Sequence, residues 1–260
     1  MLLVIDLGNT QTVVGMYRDP FVDGDLVDHW RVSTQPDRTA DEHALLLDQL
    51  LGLHDLELSD VSGIALSSTS PVVTAVIREM AERRLPNAQL VVIEPGVRTG
   101  VQVRYDNPKD VGPDRIANAV AAHDVYGGPT IVVDFGTATI FDAISASGEY
   151  LGGAIFPGLE VSLDALFGRA AALRRVELAP PSNPIGRSIT ESIQSGTVFG
   201  FAAVVDGMCA RFEEVLGPSC TVATGPLAHL IAPVVGRPIE LDPWLTLHGL
   251  RLVYRRNARP

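Results

Sequence analysis

Apolar and polar positions follow two different periods along this chain, and the changes of period mark its elements. Leu2 to Ile5 and Thr12 to Tyr17 are short, β-prone apolar runs on either side of a turn from Asp6 to Thr10, which predicts a hairpin. A third strand is expected at about Val27 to Ser33, after the Asp- and Gly-rich loop Asp19 to Asp25. The period then becomes helical. Thr39 with Glu42 forms a capping-box signature, and the helix it opens carries Ala44, Leu45, Leu47, Leu50 and Leu51 before Gly52 closes it. Val61 to Leu66 reads as a buried strand ending in Ser67, Ser68 and Thr69, and Ser70-Pro71 opens a helix carrying Val72, Val73, Val76, Ile77 and Met80. With a short strand at Leu90 to Ile93, the first half reads as a mixed sheet with crossover helices, the α/β class.

From Glu94 to Arg115 periodicity fails: EPGVRTGVQVRYDNPKDVGPDR is dense in Gly, Pro, Asp and Arg. Long irregular segments of this kind concentrate binding residues. A helical pattern resumes over Ile116 to Tyr126, with Pro113 near its first turn and Gly127-Gly128 as its stop. Strands at Thr130 to Phe135, Ile140 to Ser145 and about Tyr150 to Ile155 then repeat the plan of the N-terminus, aligning Asp6 with Asp134 and Gly8 with Gly136. An amphipathic helix over Leu159 to Ala172 and a Pro-rich loop, Ala179 to Pro184, precede a long helix over Thr190 to Leu216. Glycines 196, 200 and 207 each weaken that helix by up to about 1 kcal/mol relative to Ala, so close approach of a partner helix or a ligand is expected there. A last strand at Thr221 to Ala223 turns at Thr224, Gly225 and Pro226, and a last helix covers roughly Pro243 to Arg255.

At 260 residues the chain has room for two domains of about 120 to 130 residues, and 46% hydrophobic content excludes general disorder. The formal charge of -11 argues against a non-specific nucleic-acid binder while leaving room for a local cationic pocket. Two cysteines, Cys209 and Cys220, in no metal-ligand spacing point to a reducing, cytoplasmic setting. The opening MLLVID has no basic leader and reads as a strand, and no stretch is read as the roughly 20 apolar residues of a membrane span.

Chemistry is expected first at the paired strand ends, VIDLGNTQT and VVDFGTATI. An apolar strand that delivers an aspartate and then turns on a glycine can hold a metal–phosphate complex, Asp6 or Asp134 meeting Mg²⁺ and backbone N–H groups meeting phosphate. An Asx turn capping a strand is the structural alternative at either position, and duplication weighs against it. Neither a Walker sequence nor a GxGxxG fingerprint is present, so any nucleotide must bind without a P-loop lysine. Asp114 and Arg115, beside a helix start, pair a proton acceptor for an alcohol with a guanidinium for a carboxylated acceptor; a surface salt bridge or cap explains the dipeptide equally well. Tyr105 and Arg104 belong to the same segment and admit either a pocket or an exposed-loop reading, and Gly225 suits passage beneath an adenine or ribose. The six histidines form no HxxxH or HExxH, and Ser195 lies outside any GxSxG.

The ordered combination DLGNTQT, RYDNP, VGPDRI, VVDFGTAT, EYLGGAIFPG and QSG resembles the type III pantothenate kinase family of the acetate-and-sugar-kinase/Hsp70/actin superfamily, almost end to end from Met1 to Asn257. The resemblance implies two actin-like, ribonuclease H-like domains with mixed sheets and a nucleotide cleft, residues 1–115 holding the first phosphate motif and residues 116–260 the second together with dimerisation helices. It further implies ATP-dependent phosphorylation of the primary hydroxyl of pantothenate, the first step of coenzyme A synthesis, by a homodimer; charge and hydropathy argue separately against nucleic-acid and membrane partners. By that resemblance Asp6, Leu7, Gly8, Asn9, Thr10, Gln11, Thr12 and Val13 form the first phosphate motif, Asp6 organising Mg²⁺–ATP. Asp134 corresponds to the ligand of a monovalent cation, K⁺ or NH₄⁺, and Thr137 and Gly225 to ATP contacts. Asp114 corresponds to the proton acceptor within the substrate motif Gly112, Pro113, Asp114 and Arg115, and Tyr105 to a substrate contact.

Three positions depart from the family pattern. Ile189 stands where a substrate-binding threonine is expected, Pro226 replaces the second glycine of a pair, and Pro113 replaces an alanine. Losing the hydroxyl at 189 costs about 1–3 kcal/mol of acceptor binding, roughly ten- to over a hundredfold. These departures leave the acceptor open between pantothenate and another small hydroxylated acid or amide, and leave a catalytically weak nucleotide-binding regulator as the contrasting reading.

Overall fold

A computed structural model describes residues 1–170 and 173–258. The strands are β1 (Leu2–Leu7), β2 (Gln11–Tyr17), β3 (Leu26–Ser33), β4 (Gly63–Ser68), β5 (Gln89–Val92), β6 (Thr130–Phe135), β7 (Ala138–Ile144), β8 (Tyr150–Pro157), β9 (Cys220–Thr224) and β10 (Glu240–Leu241). The helices are α1 (Ala40–Gly52), α2 (Pro71–Arg84), α3 (Pro113–Tyr126), α4 (Leu159–Arg169), α5 (Ile189–Leu216), α6 (Ala228–Ile231) and α7 (Leu245–Asn257). They build two mixed five-stranded sheets, ordered β3-β2-β1-β4-β5 and β8-β7-β6-β9-β10, so the α/β class holds and both sheets have one topology. In each, three antiparallel strands form a meander and two further strands add in parallel.

Two compact units carry these sheets. The first comprises Met1–Val101, Asn107–Ala121 and the chain from Thr246 onward; the second comprises Gln102–Asp106 and Ala122–Leu245. This differs from a single cut between 115 and 116, because α7 returns to the first unit. Leu247 of α7 reaches Gly15 of β2, and Thr246 Oγ1 donates to Asn118 Oδ1 of α3 at 2.8 Å. The buried Arg251 guanidinium donates to the carbonyls of Pro20 and Val22 at 3.2 and 3.1 Å and to Asp23 Oδ1 at 2.9 Å.

In the first unit Leu3, Ile5 and Leu7 of β1 and Ile64 and Leu66 of β4 face a core closed by α1 and α2. Each such side chain stabilises the fold by about 1.5–3 kcal/mol on burial. The predicted caps are in place: Glu42 N donates to Thr39 Oγ1 and Thr39 N donates to Glu42 Oε2 at 2.7 Å, while Ser70 accepts from Val73 N ahead of Pro71. In the second unit Ile131, Val133 and Phe135 of β6 pack with Val198, Phe201 and Val205 of α5.

The long helix expected over Thr190 to Leu216 is observed as α5 over Ile189–Leu216. It is long and apolar enough by composition to cross a membrane, contrary to the expectation that no such stretch exists, but one of its faces is the core of the second unit. Its glycines 196, 200 and 207 have open space above them, so among the described residues no other element packs closely there. The helix predicted over Leu159 to Ala172 is observed to Arg169, and Ala171 and Ala172 lie outside the described residues. The short α6 and the two-residue β10 carry too little periodicity to be read from sequence.

Candidate active site

The first unit ends its central strand in a carboxylate. β1 extends through Leu7, so Asp6 is the penultimate strand residue, paired with Val13 of antiparallel β2 and Ser67 of parallel β4. Leu7 enters the core while Asp6 and Ser67 share the opposite sheet face, since paired positions point the same way. The following turn closes through Gly8 N donating to Gln11 O at 3.1 Å. Three threonines brace it: Thr34 Oγ1 donates to Gly8 O at 2.8 Å, Thr12 and Thr34 hydroxyls lie 2.9 Å apart, and Thr69 Oγ1 donates to Asn9 Oδ1 at 3.3 Å. Arg31 Nη1 donates to Gln11 Oε1 at 2.9 Å. Asn9, Thr10 and Gln11 remain exposed at a turn held from both sides, which suits a preorganised anion site.

In the same unit α3 begins at Pro113, which puts Asp114 in its first turn. The carboxylate accepts from its own backbone N–H and from that of Arg115, and a side chain at Gly112 would collide with Asp114 Oδ1. Burial raises the Asp114 carboxyl above the ordinary value of 3.8, against the smaller opposing influence of those N–H groups and the Arg115 charge. A half-buried carboxylate made more basic in this way is a better proton acceptor near neutral pH. The Arg115 side chain is itself buried.

The second unit repeats the strand end with different surroundings. Asp134 of β6 pairs with Ile140 and with Thr224 of β9. Its turn is closed by Gly136 N donating to Ala138 O at 3.0 Å, and Gly158 N donates to Thr137 O at 3.1 Å. Gly225 has φ +89°, and an added Cβ there would meet the Asp134 carboxylate and approach Phe135 N to 2.8 Å. Only glycine combines that backbone with that approach. Asp134 and Gly225 are thus brought together, with the exposed Thr137 two residues past Phe135.

Tyr105 lies in the segment that joins the second unit beside β8: Arg104 N donates to Tyr150 O at 2.8 Å and Tyr150 N to Gln102 O at 2.9 Å. The Tyr105 ring stands 6.3 Å from that of Tyr150, whose hydroxyl donates to buried Asp142 at 2.9 Å. Arg104 pairs with Glu149 at 2.7 Å, so its guanidinium is engaged by a carboxylate rather than held ready for phosphate. Ile189, the first residue of α5, is 61% exposed on the rim of a cavity of about 870 Å³ lined by Leu163, Leu166, Arg187, Ile193 and Phe201. Ser195 of the QSG motif donates to Pro184 O, tying α5 to the Pro-rich loop.

A family model described as type III pantothenate kinase matches residues 2–211. The chain belongs to the type III pantothenate kinase family. A type III pantothenate kinase of Streptomyces avermitilis is 52% identical over 266 residues, covering 99% of this chain and 98% of the relative. One from Moorella thermoacetica is 50% identical over 259 residues, covering 99% and 100%. Among solved structures, the inorganic polyphosphate/ATP-glucomannokinase of Arthrobacter sp. strain KM aligns with a TM-score of 0.50 at 14% identity, covering 98% of each chain, which supports the actin-like kinase fold.

For a type III pantothenate kinase the donor set at Asp6 has a specific implication. Among the described residues no group of three or more His, Cys, Asp and Glu side chains gathers to hold a metal. A divalent cation at Asp6 would therefore complete its shell with phosphate oxygens and water, the habit of Mg²⁺. One carboxylate and the neighbouring buried hydroxyl of Ser67 fit that habit. Ser67, Thr34 and Thr69 are the residues that sequence reasoning left out; the Ser-Ser-Thr end of β4 was a local signal for Ser67 and Thr69, and Thr34 had none.

Proposed function

We infer that the protein transfers the γ-phosphoryl group of ATP to the primary hydroxyl of pantothenate, giving 4'-phosphopantothenate, the first step of coenzyme A biosynthesis, in the cytoplasm. Family membership over the whole chain supports the reaction, and the observation that carries the chemistry is Asp114, a carboxylate made more basic by burial at the head of α3. In this reading Asp114 orients the acceptor alcohol and takes its proton as the oxygen attacks phosphorus, while Arg115 and Tyr105 fix the acceptor. Gly112 leaves the Asp114 carboxylate room to fold back onto its helix, and Pro113 presets the first turn. The braced turn Gly8 to Thr12 and Thr137 hold the triphosphate, with Leu7 and Val13 anchoring that turn in its strands, and Gly225 lets the backbone pass beside the adenosine. Asp6 would hold Mg²⁺, which when bound neutralises charge developing on the phosphoryl oxygens. Asp134 would hold K⁺ or NH₄⁺.

The exposed small-residue face of α5, Gly196, Gly200, Ala203, Gly207 and Ala210, supports a homodimer built on that helix. Coupling ATP consumption to mass detection of phosphorylated pantothenate tests the reaction; ADP release without that product overturns it. Ile189 favours one second reading, another small hydroxylated acid or amide as acceptor. A panel of such alcohols in the same assay decides between them by relative kcat/KM.

A further inference from the structure

Ser67 is the least explained polar group near the proposed phosphate site. It is 1% exposed, yet its hydroxyl has no hydrogen-bond partner among the described residues. Burying a hydroxyl without a partner costs about 1–3 kcal/mol, so a residue that could be alanine at no structural loss calls for a ligand. Its neighbours do not share the problem: Ser68 Oγ donates to Ser70 O and accepts from Ser70 N, and Thr69 Oγ1 donates to Asn9 Oδ1.

The register shows where this hydroxyl points. Ser67 is paired with Asp6 across parallel strands, on the sheet face away from the core formed by Leu66 and Leu7. Adjacent strands lie about 4.8 Å apart, so the two side chains stand side by side. After β1 the chain leaves to β2 on one flank, and after β4 it leaves through α2 to β5 on the other. The crevice beyond the carboxyl ends of two such strands is where open α/β sheets bind ligands.

We propose that Ser67 is a positioning residue for the nucleotide-bound divalent cation, its hydroxyl holding a water of the cation's shell beside the Asp6 carboxylate. The inference rests on the kinase reading for the identity of the ligand. A Mg²⁺ ion bound by one carboxylate retains several waters, and a neutral hydroxyl that both accepts and donates can anchor one of them without adding charge. Outer-shell partners of this kind change metal affinity by about 10- to 100-fold.

The test uses the full chain with Mn²⁺ and a non-hydrolysable ATP analogue, bound Mn²⁺ being counted by electron paramagnetic resonance without any acceptor. Ser67→Ala is expected to weaken Mn²⁺ retention about tenfold, Ser67→Thr to recover most of it, and the metal-free thermal midpoint of Ser67→Ala to stay level or rise. In turnover, Ser67→Ala raises the half-saturating Mg²⁺ about tenfold while kcat at saturating Mg²⁺ stays within about threefold. Ser67→Cys keeps the volume and supplies a second variant without the hydroxyl. Wild-type Mn²⁺ retention by either hydroxyl-free variant overturns the proposal. A wild-type protein that retains Mn²⁺ with the analogue but phosphorylates no pantothenate overturns the acceptor assignment and leaves the Ser67 comparison standing.

Discussion

The two sheets share one topology and end their central strands in the same residue type, yet they surround that carboxylate differently. Asp6 stands beside the Ser67 hydroxyl, which has no hydrogen-bond partner among the described residues, and beside a turn braced by threonines. Asp134 is closely overlain by Gly225, so backbone lies against the carboxylate. Duplication thus preserved the strand-end acid and varied what fills its flank. Both acids have a buried hydroxyl residue as parallel-strand partner, Ser67 for Asp6 and Thr224 for Asp134, so what separates the two sites is the Gly225 backbone against Asp134.

The largest expected effect lies at Asp114, in the first turn of α3, where burial makes the carboxyl more basic. Asp114→Asn should lower kcat by about 10²- to 10⁴-fold while leaving ATP-analogue binding nearly intact. In the wild type the acid limb of kcat/KM should fall above pH 3.8 and disappear in the variant. Stability should move the other way. The folded-state carboxyl is raised above 3.8, so its ionisation opposes folding: the cost is absent below that pH, grows as pH climbs to the folded value and is constant beyond. Asp114→Asn should therefore melt higher than wild type at neutral pH and level with it in strong acid, as thermal unfolding across pH will show.

Next come the paired acids. Asp6→Asn should raise the Mg²⁺ requirement about 100-fold and Asp134→Asn the K⁺ requirement about tenfold, each leaving the other cation's dependence nearly unchanged; cation titrations with identical responses break the comparison. A smaller change is Gly225→Ala, where left-handed backbone costs about 1–2 kcal/mol before any clash with Asp134, so chemical denaturation should show at least that loss and KM for ATP should rise. The smallest is Ile189→Thr, which should lower KM for pantothenate by up to about tenfold without moving KM for ATP.

Much of this was legible because it is local. The strand–Asp–Gly turns, the Thr39–Glu42 box and Ser70-Pro71 are written within a few residues, and the repeat of the first three strands follows from spacing alone. What escaped depends on partners distant in sequence. Ser67 gains its meaning from pairing with Asp6, Arg104 from its ion pair with Glu149, and α7 joins the first unit through Gly15 and the Asp19 to Asp25 loop. Glycines in α5 led to the expectation of a closely approaching partner helix or ligand, and among the described residues no other element lies close to them. Composition also hid that α5 can be apolar as a core helix, since burial of one face needs only one partner sheet.

The return of α7 has a consequence for synthesis. A ribosome delivers the first sheet early, but Arg251 and Leu247, which close its second face, emerge only after the entire second unit has been made. The nascent first sheet must wait with that face uncovered while its neighbour folds, and a chain cut short before residue 246 would leave the early-made half, rather than the late-made one, unfinished.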